Sequence, residues 1–256
     1  AVILAHYYVP DEIQDIADYI GDSFYLSKIA TTTNADIIVF CGVEFMGESA
    51  KLLNKDKMVL MPDITADCPM AHMCDKEKIE TVRKQYKDVA VVCYINSTAE
   101  LKSLSDICVT SANAKKVVTS LPNKNIFFIP DGNLGRYISK EIPEKNFILN
   151  DGYCPIHKEI TLTDLNKAKK SYPDALVLAH PECTEDILDN SDFIGSTSAI
   201  ITFASQSSNT SFIVATEMGV FHKLKIENPN KKFYPVNEHQ VCPGMKLITL
   251  EKLLDV

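Results

Sequence analysis

The stretch VILAHYYVPDEIQDIADYIGDS, residues 2–23, decides the fold because its pattern returns twice in the same chain. A second copy, VVCYINSTAELKSLSDICVTS, covers residues 91–111, and a third, LVLAHPECTEDILDNSDFIGST, covers residues 176–197. Self-similarity at a fixed period indicates that a chain is built from repeated structural units. We therefore predict three related units around one pseudo-threefold axis.

A cysteine followed by a proline stands at an equivalent place in each copy. The copies align on one anchor residue each, with steps of 88 and 86 residues: His6, Tyr94 and His180. The dipeptides lie 62, 60 and 62 residues after these anchors: Cys68-Pro69, Cys154-Pro155 and Cys242-Pro243. Because the positions are equivalent, a threefold arrangement would bring the three thiols together.

Each copy contains four short apolar runs separated by helix-like segments. The runs are VILA, DYIG, DIIVF and MVLM in the first copy, VVCY, ICVT, IFFI and FIL in the second, and LVLA, FIG, FIVA and KFYP in the third. Short strands that alternate with helical patterns predict parallel sheets covered by helices. We expect an α/β fold of three pseudo-threefold-related αβα units, residues 1–88, 89–174 and 175–256, with short parallel sheets around a central active site.

Composition narrows the classes of function. The chain has 256 residues and a net charge of −8, without a run of basic residues, so we do not expect a nucleic acid as partner. No apolar stretch approaches the roughly 20 residues that span a bilayer, and no secretion signal is present, so we expect a cytoplasmic protein. The sequence opens at Ala1 inside an apolar run, and we expect that a leading segment has been lost.

Polar side chains follow the first strand of each copy. Residues after the carboxyl ends of parallel strands line the binding crevice of a sheet. This rule brings three tripeptides to one edge: His6-Tyr7-Tyr8, Tyr94-Ile95-Asn96 and His180-Pro181-Glu182. A hydroxyl stands seventeen residues after each anchor: Ser23, Ser111 and Thr197. We expect each hydroxyl to begin a helix, where unpaired N–H groups and the helix dipole attract anions, or else to serve as an ordinary helix cap.

The three matched cysteines indicate a metal centre. Thiolates suit zinc and iron–sulfur clusters, and three thiolates on a cubane of four irons leave one iron open as a Lewis acid. Structural zinc usually has paired Cys-x-x-Cys spacings, which are absent, so we favour the cluster. A zinc-dependent hydrolase or lyase and a non-catalytic small-anion binding protein remain alternatives. We interpret the five other cysteines as small buried residues: Cys41, Cys74, Cys93, Cys108 and Cys183. The grouping Cys68, His72 and Cys74 could bind a metal by itself, but it lacks a fourth local ligand and has no equivalent in the other two copies.

Over essentially its whole length the chain resembles the quinolinate synthases, a family of NAD biosynthesis. The resemblance is carried by AHYYVPDEIQDIADYIGDS, the YINSTAE-to-TSANA and HPE-to-GST stretches, and CPMAHM, CPIH and VCPGMK followed by ITL. It implies three αβα domains around a [4Fe–4S] cluster held by three cysteines. It also implies condensation of iminosuccinate with dihydroxyacetone phosphate to quinolinate, phosphate and water, and a functional link to L-aspartate oxidase or aspartate dehydrogenase as the source of iminosuccinate.

Carried over to this sequence, the resemblance implies the cluster ligands Cys68, Cys154 and Cys242. It places substrate contacts on His6, Tyr8, Ser23, Tyr94, Ile95, Asn96, Ser111, His180, Pro181, Glu182 and Thr197. Among these we expect Glu182 to be the general acid or base, with a pKa raised beside a dry cluster, assisted by His6, His180, Tyr8 and Tyr94. Helices before the first strand and after the last one, which the family has, are not expected here.

Overall fold

Three four-stranded parallel sheets form the frame of the protein in the computed structural model, which describes residues 1–256. The first sheet belongs to the chain segment β1 (Val2–His6), α1 (Asp11–Ile16), β2 (Tyr19–Gly21), α2 (Ser23–Thr32), β3 (Ile37–Cys41), α3 (Glu44–Leu53) and β4 (Met58–Leu60). Its strand order is β2-β1-β3-β4, and every neighbouring pair is parallel. A short 3₁₀ helix, Pro69–His72, follows.

The second and third sheets repeat this plan. The second segment contains α4 (Lys76–Gln85), β5 (Val89–Tyr94), α5 (Ala99–Ser103), β6 (Ile107–Val109), α6 (Ala114–Ser120), β7 (Asn125–Ile129), α7 (Gly132–Glu141), β8 (Asn146–Leu149) and α8 (Pro155–Lys158). The third contains α9 (Leu162–Ser171), β9 (Leu176–Ala179), α10 (Glu185–Leu188), β10 (Phe193–Ile194), α11 (Thr197–Gln206), β11 (Ser211–Ala215), α12 (Val220–Glu227), β12 (Lys232–Pro235) and α13 (Leu250–Leu254).

The strand orders show that the three sheets are copies. They are β6-β5-β7-β8 in the second sheet and β10-β9-β11-β12 in the third, the same arrangement as in the first. All twelve apolar runs predicted from the sequence form strands, so the predicted α/β fold with three parallel sheets is confirmed. The runs are apolar throughout because both faces of the inner strands are covered, as the consecutive buried residues Ile126, Phe127, Phe128 and Ile129 of β7 show.

Seven of the thirteen α-helices begin at a polar side chain that caps the first turn. Asp75, Asp131 and Ser196, for example, each accept a hydrogen bond from a backbone N–H two or three residues ahead. Such caps satisfy donors that the helix itself leaves unpaired. The strands therefore pass into helices at defined residues, and these junctions place the polar side chains at the carboxyl edges of the sheets.

The helix that precedes each sheet packs on that sheet's core. Ile79 of α4 is buried among residues of β5 and β7, and Leu165 of α9 is buried among residues of β9 and β11. The first sheet receives its cover from the other end of the chain, where Met245 and Ile248 join the core of β1 and β3. Three cores are thus linked in a ring. The boundaries 1–88, 89–174 and 175–256 stay a prediction.

One expectation about the chain ends is wrong. We expected no helix after the last strand, but a 3₁₀ turn, Met245–Leu247, and α13 follow β12. The reason is that this segment has an apolar side, including the partly buried Leu253, that packs against the first core. No helix of the structure is long and apolar enough to cross a lipid bilayer.

The ring closure can be tested at Ile248, which is fully buried although it lies only eight residues from the last position. Ile248→Ala should lower the free energy of unfolding by about 2–5 kcal/mol because it leaves a cavity in the first core. The control Leu254→Ala changes a side chain that is 87% exposed and should cost less than about 0.5 kcal/mol. Denaturant unfolding under anaerobic conditions measures both, and equal small losses would contradict the closure.

Candidate active site

One cavity lies where residues of all three repeats meet. Its walls contain most of the side chains that the sequence singled out: His6, Tyr8, Ser23, Cys68, Tyr94, Asn96, Ser111, Cys154, His180, Glu182, Thr197 and Cys242. Ile95 and Pro181 are not part of the wall. Ile95 packs against the first and second cores, and Pro181 is buried. The carboxyl ends of β1, β5 and β9, each in a different sheet, therefore converge on this cavity, which agrees with the predicted place of the tripeptides.

The three matched cysteines face this cavity from the ends of three loops that follow the last strand of each sheet. Each is half-buried and free of disulfides. Cys68 and Cys154 directly precede short helices that begin with proline, and Cys242 is followed by Pro243 and a 3₁₀ turn. Backbone N–H groups at the start of each turn face the thiol and favour its charged form.

The cysteine thiols lie close enough to influence one another. Burial is the main reason why the pKa values of Cys68, Cys154 and Cys242 are raised, and the charge of a neighbouring thiol adds to the effect at Cys68 and Cys154. Three adjacent thiolates would repel unless a metal centre compensates their charge. Three soft ligands, oriented N–H groups and no fourth cysteine on the wall fit a [4Fe–4S] cluster with one open iron.

A second group of potential ligands is less suited to a metal ion. Ligand atoms of Cys154, His157 and Glu182 all lie within 4.8 Å of one another. However, His157 Nδ1 lies only 2.8 Å from Glu182 Oε2. Two ligands of one tetrahedral zinc, each about 2.0–2.2 Å from the ion, stand farther apart than this. We therefore interpret His157 and Glu182 as partners of each other rather than as ligands of one metal ion.

The hydroxyls are arranged differently from the prediction. Ser23 and Thr197 are the first residues of α2 and α11, as expected, but Ser111 lies three residues before α6. The expectation is wrong for Ser111 because Asn113 Oδ1 accepts a hydrogen bond from the N–H of Thr110 and closes a turn there. None of the three hydroxyls is a helix cap, since the capping positions are Asp22, Asn113 and Ser196.

Glu182 is the most tightly held group of the cavity. The Tyr94 hydroxyl donates to Oε1 at 2.5 Å, while His157 Nδ1 lies 2.8 Å and His180 Nδ1 3.9 Å from Oε2. Burial alone raises the pKa of this carboxyl, but its contacts with His180 and His157 and the hydrogen bond from Tyr94 outweigh burial and lower the pKa to about 2. The expected raised pKa is therefore wrong, because the sequence did not show these partners.

His6 and His180 are held in the same way in the first and third repeats. The N–H of Tyr8 donates to His6 Nδ1, and the N–H of Glu182 donates to His180 Nδ1. Burial lowers the pKa of both imidazoles to about 4, so both are neutral at pH 7. A neutral ring that accepts at Nδ1 carries its proton on Nε2. Both rings therefore offer a hydrogen-bond donor.

Two phenols and one amide are the other polar groups of the cavity wall considered for binding, Tyr8, Tyr94 and Asn96. Burial raises the pKa values of Tyr8 and Tyr94 well above the ordinary range, so both phenols keep their protons. The Oδ1 atom of Asn96 is buried and has no hydrogen-bond partner. Because buried polar atoms are normally paired, this carbonyl oxygen is free for a ligand that donates.

Sequence reasoning missed several functional residues. His157 lines the cavity, and its signal was the CPIH motif, in which it follows Cys154 by one turn. Glu217 lies two residues after β11 and accepts from the N–H of Cys242, which holds that loop. Thr216, beside it, bonds to Tyr8 and His157. Applying the strand-end rule to the third strand of each sheet would have found both.

The remaining cysteines divide into two groups. Cys41, Cys93 and Cys183 are buried as predicted, whereas Cys74 is half-buried and Cys108 is exposed. The prediction is wrong for Cys108 because it lies on β6, an edge strand of the second sheet. His72 is about half exposed, and its Nε2 lies 2.9 Å from Asp67 Oδ2. His72 does not line the cavity, whereas Cys68 does.

Comparison with known proteins gives consistent results. A sequence model of the protein family described as "NadA: Quinolinate synthetase A protein" matches residues 1–256. The chain is similar to the quinolinate synthase of Fusobacterium nucleatum, with 55% identity over 251 residues that cover 98% of this chain and 84% of the relative. For the quinolinate synthase of Clostridioides difficile the identity is 51% over 253 residues, covering 99% and 83%. For that of Caldicellulosiruptor saccharolyticus it is 49% over 253 residues, covering 99% and 84%.

The buried neutral state of His6 predicts a pH dependence of stability. Its folded pKa of about 4 lies below the ordinary 6.5, so the unfolded chain binds the proton first as the pH falls. The contribution of His6 to stability should therefore fall by about 1 kcal/mol between pH 7.5 and 5.5. Unfolding free energies of His6→Asn and of the unchanged protein should diverge by this amount over that range. An identical pH dependence would contradict the neutral ring.

Proposed function

The chain belongs to the quinolinate synthase family, whose members carry a [4Fe–4S] cluster, and we propose that its central cavity is where quinolinate is formed. The observation that carries the proposal is that one cysteine from each repeat and the Glu182 carboxylate face the same cavity. We assign the cluster to Cys68, Cys154 and Cys242. When bound, the cluster supplies a Lewis acid that polarises substrate atoms.

Substrate anions would be held without basic side chains. No lysine or arginine lines the cavity, while the hydroxyls of Ser23, Ser111 and Thr197 do. Ser23 and Thr197 stand in the first turns of two ten-residue helices, where unpaired N–H groups and the dipole favour negative charge. These groups are suited to the carboxylates of iminosuccinate and the phosphate of dihydroxyacetone phosphate.

Neutral donors would orient the reacting atoms. His6 and His180 present Nε2–H groups, and the phenols of Tyr8 and Tyr94 stay protonated. Such donors can stabilise oxygen atoms that gain negative charge, as in an oxyanion hole. Asn96, with its unpaired Oδ1, can accept from an amine or imine N–H of the substrate.

Glu182 would move protons. Its low pKa means that it begins the reaction as the carboxylate, and it can take a proton during carbon–carbon bond formation. The protonated carboxyl can then return a proton to a departing hydroxyl during dehydration. The Tyr94 hydroxyl, 2.5 Å from Glu182 Oε1, orients the carboxyl group in its ionised and its protonated form.

The supply of substrate stays an inference from the chemistry of the family. Iminosuccinate would come from L-aspartate oxidase or aspartate dehydrogenase, and the cytoplasm, predicted from the sequence, would be the location.

The cysteine assignment predicts which thiols hold the cluster. Cys68→Ala, Cys154→Ala and Cys242→Ala should each remove the brown chromophore and the bound iron and sulfide after anaerobic reconstitution. The controls Cys41→Ala and Cys93→Ala change buried cysteines outside the cavity and should keep it. A zinc-loaded protein without sulfide, or an equal effect of all five variants, would disprove the assignment.

The anion assignment predicts weaker binding without loss of the cluster. A hydrogen bond to a charged group is worth about 1.5–3 kcal/mol, so Ser23→Ala, Ser111→Ala and Thr197→Val should each weaken binding of quinolinate about 10- to 100-fold. The control Thr202→Val lies on α11 with its hydroxyl bonded to the Ser198 carbonyl and should bind normally. Calorimetry with anaerobic enzyme measures this. Unchanged affinity in all three variants would leave the hydroxyls without a role in binding.

The proton-transfer assignment predicts a loss of turnover at Glu182. Glu182→Gln keeps the size and hydrogen-bonding reach but removes the titrating group, so kcat should fall about 10²- to 10⁴-fold while the cluster spectrum is retained. Quinolinate formation is measured anaerobically across the pH range. A near-normal rate with the same pH profile would transfer the role to His180, His6 or a tyrosine.

A further inference from the structure

Two cysteines outside the cavity stand side by side in the second sheet. Cys93 on β5 and Cys108 on β6 are direct partners in the parallel register of these two strands. Neighbouring strands lie about 4.8 Å apart, and disulfides join residues whose Cα atoms are about 4.4–6.8 Å apart. The two thiols are also within hydrogen-bond reach of each other. The backbone spacing and the direction of both side chains therefore suit a disulfide, although both cysteines are free in the structure.

The two thiols differ in their access to solvent. Cys93 is fully buried because β5 is an inner strand, whereas β6 is an edge strand and Cys108 is exposed. Cys108 also lines a surface groove between the first two repeats, together with Leu53 of α3 and Lys102 of α5. A small molecule in this groove can reach the sulfur of Cys108, while the sulfur of Cys93 is shielded from it.

Cys108 is the more acidic thiol of the two. The hydrogen bond with Cys93 and, to a smaller extent, the charge of Lys102 lower the pKa of Cys108 to about 7, although partial burial acts in the opposite direction. The same hydrogen bond and burial raise the pKa of Cys93. At pH 7 a sizeable fraction of Cys108 is therefore the thiolate, which is the form that attacks a disulfide.

We propose that Cys108 and Cys93 form a thiol–disulfide exchange site, in which Cys108 attacks a small-molecule disulfide from the groove and Cys93 then displaces the bound half. The assignment of roles follows from position, since the exposed sulfur meets the reagent first and the buried sulfur lies next to it. A low-pKa, accessible cysteine beside a second cysteine is the arrangement typical of redox-sensitive thiols.

The two steps balance with one disulfide as the oxidant, here glutathione disulfide. The Cys108 thiolate attacks one of its sulfurs, so a mixed disulfide forms and the first glutathione thiolate leaves. The Cys93 sulfur then attacks Cys108 Sγ, which breaks the mixed disulfide and releases the second glutathione thiolate. Each leaving thiolate takes up the proton that the attacking cysteine has lost. Two cysteine thiols are oxidised to one disulfide, and glutathione disulfide is reduced to two glutathione thiols.

Cys74 provides the matched control. It is half-buried, burial raises its pKa to about 11, and its sulfur donates to the Asp75 carbonyl rather than to another thiol. The three cysteines assigned to the cluster also have raised pKa values and would be occupied by the cluster. Oxidation confined to Cys108 and Cys93 is therefore expected.

The experiment treats the anaerobic, cluster-loaded protein with glutathione disulfide at pH 7, blocks the remaining thiols with iodoacetamide and identifies the products by peptide mass spectrometry. The unchanged protein should give a linked pair of peptides that contain Cys93 and Cys108, and dithiothreitol should separate them again. Cys74 should be recovered as the blocked thiol. Cys93→Ala should stop at glutathione bound to Cys108, and Cys108→Ser should leave Cys93 unmodified.

The pH dependence of alkylation without glutathione disulfide gives a second measurement. The rate at Cys108 should reach half of its maximum near pH 7, and the rate at Cys74 only at a much higher pH. The proposal is overturned if both thiols of the pair stay reduced, if the unchanged protein stops at a glutathione adduct, if Cys74 is oxidised equally, or if both alkylation midpoints coincide. Because neither cysteine lines the cavity, these outcomes do not bear on the proposed function.

Discussion

A buried carboxylate at the centre of the molecule is the interaction on which the site depends. Glu182 is only 3% exposed, and an ionised group at such a depth is stable only when other groups compensate its charge. Both close partners come from the second repeat, Tyr94 at the end of β5 and His157 on α8. The contacts of Glu182 with Tyr94 and His157 therefore connect the third repeat to the second. The first repeat is connected through Thr216, whose hydroxyl bonds to both Tyr8 and His157. The same contacts that stabilise the fold arrange the polar groups of the cavity.

The cavity is proposed to bind anions although no lysine or arginine lines it. Its titratable residues are acids, thiols, phenols and histidines, and the two histidines at the strand ends are neutral at pH 7. Substrate carboxylates and phosphate would have to be met by hydroxyls, helix N-termini and a bound metal centre. Hydroxyls and helix N-termini carry no net charge, so they attract an anion without adding a basic group to the cavity. Such a site can hold cysteine thiolates and substrate anions next to each other when a metal centre is bound. The global net charge of −8 is compatible with this local solution.

The ring of three cores explains why the cysteine loops can converge. Each loop starts next to a sheet and ends at a helix or turn that packs on the following core, and the last segment returns to the first core through Met245 and Ile248. The loops are further tied by side chains such as Glu217, which accepts from the N–H of Cys242. A metal centre with three thiolate ligands needs such pre-organised loops, since each ligand comes from a different part of the chain.

The sequence by itself determined the threefold repeat, the twelve strands and the cavity edge. Local apolar periodicity and strand-end position carry that information, because they depend on residues close together along the chain. Only the tertiary structure decided the state of Glu182, whose pKa is set by His180, His157 and Tyr94, and the place of Ser111, which a turn at Asn113 moves away from the start of α6. It also decided the closure of the ring by the last segment of the chain, whose Met245 and Ile248 pack in the first core. These features arise from contacts between residues up to about two hundred positions apart, for which a single sequence carries no local signal.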